Sequence, residues 1–269
     1  MKLVSLAAIA AMTLAPLAAQ AQTTTLAQDN ASSAAYGGAG YTTGSNGGFG
    51  FGAFNIVATG SAGTFEYTSK ESENGSGDID SPAFTAGGSP LSFGLYAQTT
   101  GSAITISRSF TAPVAIPGEV FSLDFVKGYN DAGTSGVALT TAAGTTGDFT
   151  FTSGGVGIDF NKTATPLGFS LGADHLVYTF TSATAYSLSV TGADTFTGTG
   201  TTATPITGFQ IAQTDSGAAT PDHNAYFNNL SLTVPAAAPV PEASSLVGFG
   251  LLLALGGMAV AAHKRTVKA

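Results

Sequence analysis

The stretch AITISRSF sets Ile104, Ile106 and Phe110 on one side of an extended chain and Thr105, Ser107 and Ser109 on the other. VFSLDF repeats the pattern, with Phe121, Leu123 and Phe125 against Ser122 and Asp124. AYSLSVT sets Tyr186, Leu188 and Val190 against Ser187, Ser189 and Thr191. A helix would scatter these apolar residues around its circumference, whereas a strand gathers them on one face, so each run predicts a half-buried β-strand. Turn-forming clusters such as ENGSG, KGYNDAG and TAAGTTGD separate the runs. About a dozen such runs lie between Phe49 and Val234, and no helical periodicity interrupts them.

Many short strands, each with one oily face, bury that face by packing sheet on sheet. The fold class expected is therefore all-β, an antiparallel two-sheet sandwich of jelly-roll or lectin-like kind over residues 49–234. The closing strand of the set is AYFNNLSLTV, where Leu230, Leu232 and Val234 alternate. Aromatic-x-aromatic-Thr-Ser recurs at Phe65–Ser69, Phe149–Ser153 and Tyr178–Ser182 at unequal intervals, which is strand chemistry repeating and not a solenoid period. Residues 22–48, rich in Gly, Ala and Ser, read either as a leader or as a first strand with weak signals.

Composition limits what such a domain can do. The chain has no Cys and no Trp, which removes thiol and disulfide chemistry and the commonest sugar-stacking side chain. Within residues 22–234 the basic residues are Lys70, Arg108, Lys127 and Lys162 alone, against fifteen acidic ones. No stretch interleaves basic and aromatic residues, so a nucleic-acid partner is not expected.

The two ends have a different character. MKLVSLAAIAAMTLAPLAAQAQ carries Lys2, an apolar run from Leu3 to Leu17 and a small-residue site at Ala19-Gln20-Ala21. That is the layout of a secretory signal peptide over residues 1–21, with Ala19 and Ala21 specifying cleavage. At the other end, a Pro- and Ala-rich linker (235–245) leads into residues 246–262, which contain no ionisable side chain. An apolar rod without a polar face belongs in lipid, so 246–262 is expected to be one C-terminal membrane helix. Lys264 and Arg265, in the basic tail 263–269, would stop it with that tail on the cytoplasmic side.

Val240-Pro241-Glu242, an apolar segment and a short basic cluster, in that order, resemble the PEP-CTERM sorting signal of Gram-negative bacteria. Pro241 and Glu242 match the first two positions of the Pro-Glu-Pro motif, and Ala243 replaces the third. The resemblance covers residues 239–268. It implies an exosortase-like membrane protease as partner, an inner-membrane precursor and delivery of the mature protein to the cell surface or extracellular matrix.

Several side chains are candidates for chemistry in the domain. Glycoside hydrolysis needs two carboxylates about 5–9 Å apart, and Glu66, Glu71, Glu73, Glu119 and Asp124 are available, with Glu66 and Asp124 on strand runs. His175, at a strand start, and His223, in a loop, lack any Gly-x-Ser-x-Gly partner sequence. ESENGSGDIDS gathers Glu71, Glu73, Asp78 and Asp80 in one loop, a set of oxygen donors suited to calcium. The turns at Asn130-Asp131 and at Asp222 with Asn224 offer smaller sets of the same kind. Tyr129 and Tyr226 are candidates for exposed aromatics that would contact extracellular polysaccharide. The expectation is an exported, non-catalytic surface or matrix protein. The alternatives are a carbohydrate-binding module and, behind it, a polysaccharide-acting glycoside hydrolase.

Overall fold

The alternation around Ile104 belongs to the longest strand of the protein, Leu91–Ser109, and that strand bends. Its first part pairs Phe93 with Phe227, and its second pairs Ile106 with Ile211. The corner lies between them, at Thr99 (φ +78°) and Gly101 (φ +83°). Thr99 in the left-handed region is strained, and the corner is clasped. Thr99 N donates to Gly217 O at 3.0 Å, Gly101 N donates to Asp215 Oδ1 at 2.5 Å, and Ser61 N donates to Ser102 Oγ at 2.9 Å.

The structure is a computed structural model that describes residues 23–36, 40–68, 91–112, 114, 117–128, 130–152, 157–168, 172–217 and 223–235. These fall in a unit bounded by Thr23 and Pro235. In chain order the strands are β1 Thr24–Asp29, β2 Asn55–Thr68, β3 Leu91–Ser109, β4 Val120–Val126, β5 Thr134–Thr141, β6 Gly144–Thr152 and β7 Ile158–Phe160. They continue with β8 Thr163–Ala164, β9 Ala173–Ser182, β10 Ala185–Gly192, β11 Phe196–Thr201, β12 Ile206–Thr214 and β13 Ala225–Val234. No α-helix occurs among the described residues, and none there is long and apolar enough to cross a membrane.

All the strand pairs are antiparallel, as the alternation predicts, but the expectation of two separate sheets is corrected. Hydrogen bonds run unbroken through a 13-stranded sheet in the order β11-β10-β9-β4-β13-β3-β12-β5-β6-β7-β8, with β1 on β13 and β2 on β3. One half of this sheet, β11 to β13, curls over the other, β12 to β8, because bent β3 serves both. β2 follows β3 round the corner, pairing Thr68–Ser61 with its first part and Thr59–Asn55 with its second. Gly60 (φ +68°) supplies the turn in β2, where an added Cβ would stand 2.7 Å from Ser102 Oγ. The result is a jelly-roll-like fold made from one rolled sheet. Residues Thr24–Asp29 form a strand of it, paired to Leu230–Val234.

The core fills the space between the two halves, and rings bridge it. Phe121 of β4 stacks on Phe209 of β12 at 4.7 Å, Phe125 of β4 on Phe151 of β6 at 5.9 Å, and Phe196 of β11 meets Phe149 of β6 at 5.9 Å. Each fully buried Phe contributes about 1.5–3 kcal/mol by leaving water. Tyrosines reach the core only with their hydroxyls satisfied. Tyr178 donates to Gly147 O at 2.8 Å, Tyr41 to Gly94 O at 3.1 Å and Tyr186 to Asn161 Oδ1 at 3.0 Å.

Candidate functional site

The segment Asn46–Phe51 runs beside β1, where Phe49 and Gln28 exchange two backbone hydrogen bonds of 3.0 Å. Strict alternation would put Phe49 and Phe51 on the same side. Gly50 adopts φ +76°, a conformation open to Gly at little cost, and the chain rolls over. Phe51 is 2% exposed as a consequence, and Phe49 is 53% exposed. Gly48 lets the two segments touch, since a Cβ there would stand 2.0 Å from the Gln28 carbonyl oxygen.

Phe49 therefore stands at the lip of an open groove of about 380 Å³, lined by Gln28, Asn30, Ser32, Ser33 and Gly47. Its wall includes Asp29, which belongs to a buried network. Arg108 Nη1 meets Asp29 Oδ2 at 2.5 Å with both side chains fully buried. Arg108 Nε donates to Gly52 O at 2.7 Å, Nη2 to Asn46 Oδ1 at 2.5 Å, and the guanidinium lies 4.4 Å from the centre of the Phe54 ring. Tyr36 donates its hydroxyl to the same Asp29 oxygen and accepts Gly47 N at 2.8 Å. Burial, and then the bond to Asp29, push the Tyr36 phenol well above its usual range. Asp29 Oδ1 accepts no hydrogen bond among the described residues. The network ties Asp29 and Gly47 of the groove wall to β3, while the lip offers an apolar ring beside amides and hydroxyls.

A second, smaller groove of about 150 Å³ lies on the outer face of β12, β5 and β6. Gly136, Ala138 and Ala212 form its floor, with Gln210, Thr150 and Asp148 around them. Burial raises the Asp148 pKa, and the Lys162 charge opposes the shift.

The sequence-predicted residues are placed as follows. Glu66 pairs with Phe93, which pairs with Phe227, which pairs with Phe125, and this line of residues faces the core. Asp124 sits in the adjacent register, opposite His175, so Glu66 and Asp124 point to opposite faces of the sheet. Glu66 instead adds to the burial that holds the Tyr41 phenol well above its usual range. Glu119 is buried. Asp124 accepts His175 Nδ1 at 2.7 Å and Asn229 Nδ2 at 2.7 Å, a clasp across β9, β4 and β13. The Asp124 bond raises the His175 pKa against the opposing effect of burial. His223 Nε2 lies 3.4 Å from Asp131 Oδ1, and Asn130 Nδ2 donates to Ser135 Oγ at 3.0 Å, so that turn is tied internally. Among the described residues no group of three or more His, Asp or Glu is arranged to hold a metal.

Tyr226 is corrected from an exposed aromatic to a buried one. It is 2% exposed and meets Phe65 edge to face at 5.7 Å. Tyr129 lies outside the described residues, as do Asp222, the calcium-type loop with Glu71, Glu73, Asp78 and Asp80, the cleavage residues Ala19 and Ala21, the Pro241-Glu242 stretch, the rod 246–262, and Lys264 and Arg265. Sequence reasoning missed Phe49, whose only signal is the Gly on either side of it. It also missed Arg108, which shows itself as a charge on the apolar stripe of Ile104, Ile106 and Phe110.

No protein-family model and no curated protein matches the chain. Among solved structures, an endo-β-1,4-glucuronan lyase from the fungus Trichoderma reesei is similar at 8% identity and a TM-score of 0.41, with 67% of this chain and 90% of that one covered. A carbohydrate esterase from Shiga toxin-encoding bacteriophage phi24B is similar at 13% identity and 0.38, with the same coverage. The enzymatically active domain of tailspike protein 4 from bacteriophage CBA120 gives 12% identity and 0.32 over 66% of this chain, which spans only 19% of that one. Likeness this low transfers no activity.

Proposed function

We propose that this is an exported, non-catalytic protein of the cell surface or extracellular matrix whose β-domain holds polysaccharide in the groove beside Phe49. The observation that carries the reading is the exposed Phe49 ring at the lip of a groove of Gln28, Asn30, Ser32 and Ser33. A sugar ring has an apolar face of C–H groups and an equatorial belt of hydroxyls. An aromatic platform with amides and hydroxyls beside it complements both, as small-ligand sites generally combine apolar surface with a few placed polar groups. Screening the purified full chain on a glycan array and titrating the sugars retained is the test. Phe49→Ala should weaken binding about tenfold or more and leave the thermal midpoint unchanged. Sugar binding insensitive to this substitution would refute the groove.

Export and sorting rest on the sequence of the two ends. The precursor is inserted in the inner membrane by residues 246–262, and an exosortase-like protease removes the tail near Ala243. Replacing both Pro241 and Glu242 with Ala should trap the precursor in the membrane. Recovery of soluble extracellular protein that still contains Lys264 and Arg265, by intact mass, would dismiss the sorting signal. The glycoside hydrolase alternative gains nothing from Glu66 and Asp124, because the sheet separates them.

A further inference from the structure

At the end of β4 the chain carries Lys127, and its ammonium is fully buried. Its Nζ lies 3.2 Å from Asp174 Oδ2 on β9 and contacts Asp194 Oδ2 in the turn after β10. The Phe151 ring lies 4.1 Å from the same nitrogen. Asp174 Oδ1 accepts the backbone N–H of Asp194 at 2.7 Å, which ties the turn to the strand. The side chains of Asp174 and Asp194 are 0% and 6% exposed. A lysine and two carboxylates with water kept out form an unusual core cluster. As a salt bridge alone such a buried triad returns little net stability, because desolvating the charges offsets their attraction.

We propose that this cluster is an intramolecular cross-linking site, in which Lys127 and Asp194 condense to an isopeptide bond with Asp174 as proton shuttle. The reaction balances without oxidant, metal or co-reactant. The Lys127 ammonium gives one proton to the Asp194 carboxylate, leaving a neutral amine against a neutral acid. Nζ attacks Cγ of Asp194 and the C–N bond forms. Asp174 takes the second proton from nitrogen and hands it to the hydroxyl of the tetrahedral centre, the C–O bond breaks, and one water leaves. The buried contact supplies the proximity that makes amide formation feasible at an unactivated acid.

Asp174 suits the shuttle role. Burial raises its pKa to about 6, although the Lys127 charge and the Asp194 N–H both pull it down. A group near this value both accepts and returns a proton at neutral pH. Asp194 suits the electrophile role because its carboxylate already touches the Lys127 nitrogen, from the turn after β10. The chain has no Cys, so this amide would be a covalent staple that a disulfide cannot provide. It would join the end of β4 to the β10–β11 turn.

The test is a peptide map of the purified full chain, digested with trypsin after denaturation and read by tandem mass spectrometry. The expected product is a branched peptide joining Lys127 to Asp194, one water lighter than its two arms, with no cleavage after Lys127. Lys127→Arg and Asp194→Ala should each give linear peptides, and Asp174→Asn should sharply reduce the branched fraction. The wild-type map decides the matter even if a variant fails to fold. A linear Lys127 peptide whose amine reacts with an acylating reagent in denaturant would overturn the proposal, and so would a branch to Asp174.

Discussion

Arg108 and Asp29 show how much one position can hold. The pair stands between β3 and β1, shares Asn46, Gly52 and Tyr36, and has the Phe54 ring against the guanidinium. Removing one member leaves the other charged and buried, which costs far more than the intact pair contributes. Arg108→Met should therefore destabilise the domain by about 3–5 kcal/mol, measured as a lower denaturant midpoint. A loss under about 1 kcal/mol, the range of exposed pairs, would contradict the buried geometry. Phe49 is the opposite case, since its ring is more than half exposed and Phe49→Ala should leave the thermal midpoint unchanged.

Among the elements, the β2–β3 corner decides the architecture. Gly60 needs a positive φ and has Ser102 against the position of its missing side chain, with Ser102 Cα 3.0 Å from an added Cβ. Gly60→Val should cost about 1–3 kcal/mol through left-handed strain and overpacking, seen as a drop in thermal midpoint. Gly101 also has a positive φ (+83°), but nothing lies within 4 Å of an added Cβ. Gly101→Ala should therefore cost only the backbone term, about 1 kcal/mol. Equal losses at the two sites would mean that space at the corner is immaterial.

For the whole molecule, the titrating groups that are perturbed set the pH dependence. Burial raises Asp174 from 3.8 to about 6, so the folded chain keeps a proton that the unfolded chain releases above 3.8. The associated stability is fully present below 3.8 and is lost as pH rises to about 6. Asp148, also raised by burial, acts in the same direction. His175 is raised above 6.5 by Asp124, so its contribution is complete below 6.5 and is lost as pH rises through the elevated value. The three groups agree in sign. The thermal midpoint should rise as pH falls from 8 to 5, with Asp174 alone contributing about 1 kcal/mol of that rise between about pH 6 and 5, at 1.36 kcal/mol per unit. Asp174→Asn should flatten the part of the curve between about pH 4 and 6. A midpoint that falls steadily on acidification from pH 8 would contradict these environments.

What the residues determined by themselves is local. Alternation made Leu91–Ser109, Val120–Val126 and Ala185–Gly192 strands with the expected inward faces, because the side-chain period of an extended chain is fixed at two. Antiparallel all-β order followed, since so many short one-faced strands have few other ways to bury their Phe, Leu and Ile. Sheet count did not follow, because whether two sheets stay separate depends on a single bent strand at Thr99–Gly101, and its partners there, Gly217 and Asp215, are distant in sequence. At Thr24–Asp29 the residues left a leader and a weak first strand both open, and the strand is decided by pairing with Leu230–Val234 at the far end of the domain. Glu66 and Asp124 looked equivalent on paper, and register alone put them on opposite faces. Phe49 became a surface ring through one backbone angle at Gly50, while Lys127, Asp174 and Asp194 met only when β4, β9 and β10 were laid side by side. Contacts between distant segments are properties of the packed chain, and local pattern carries no record of them.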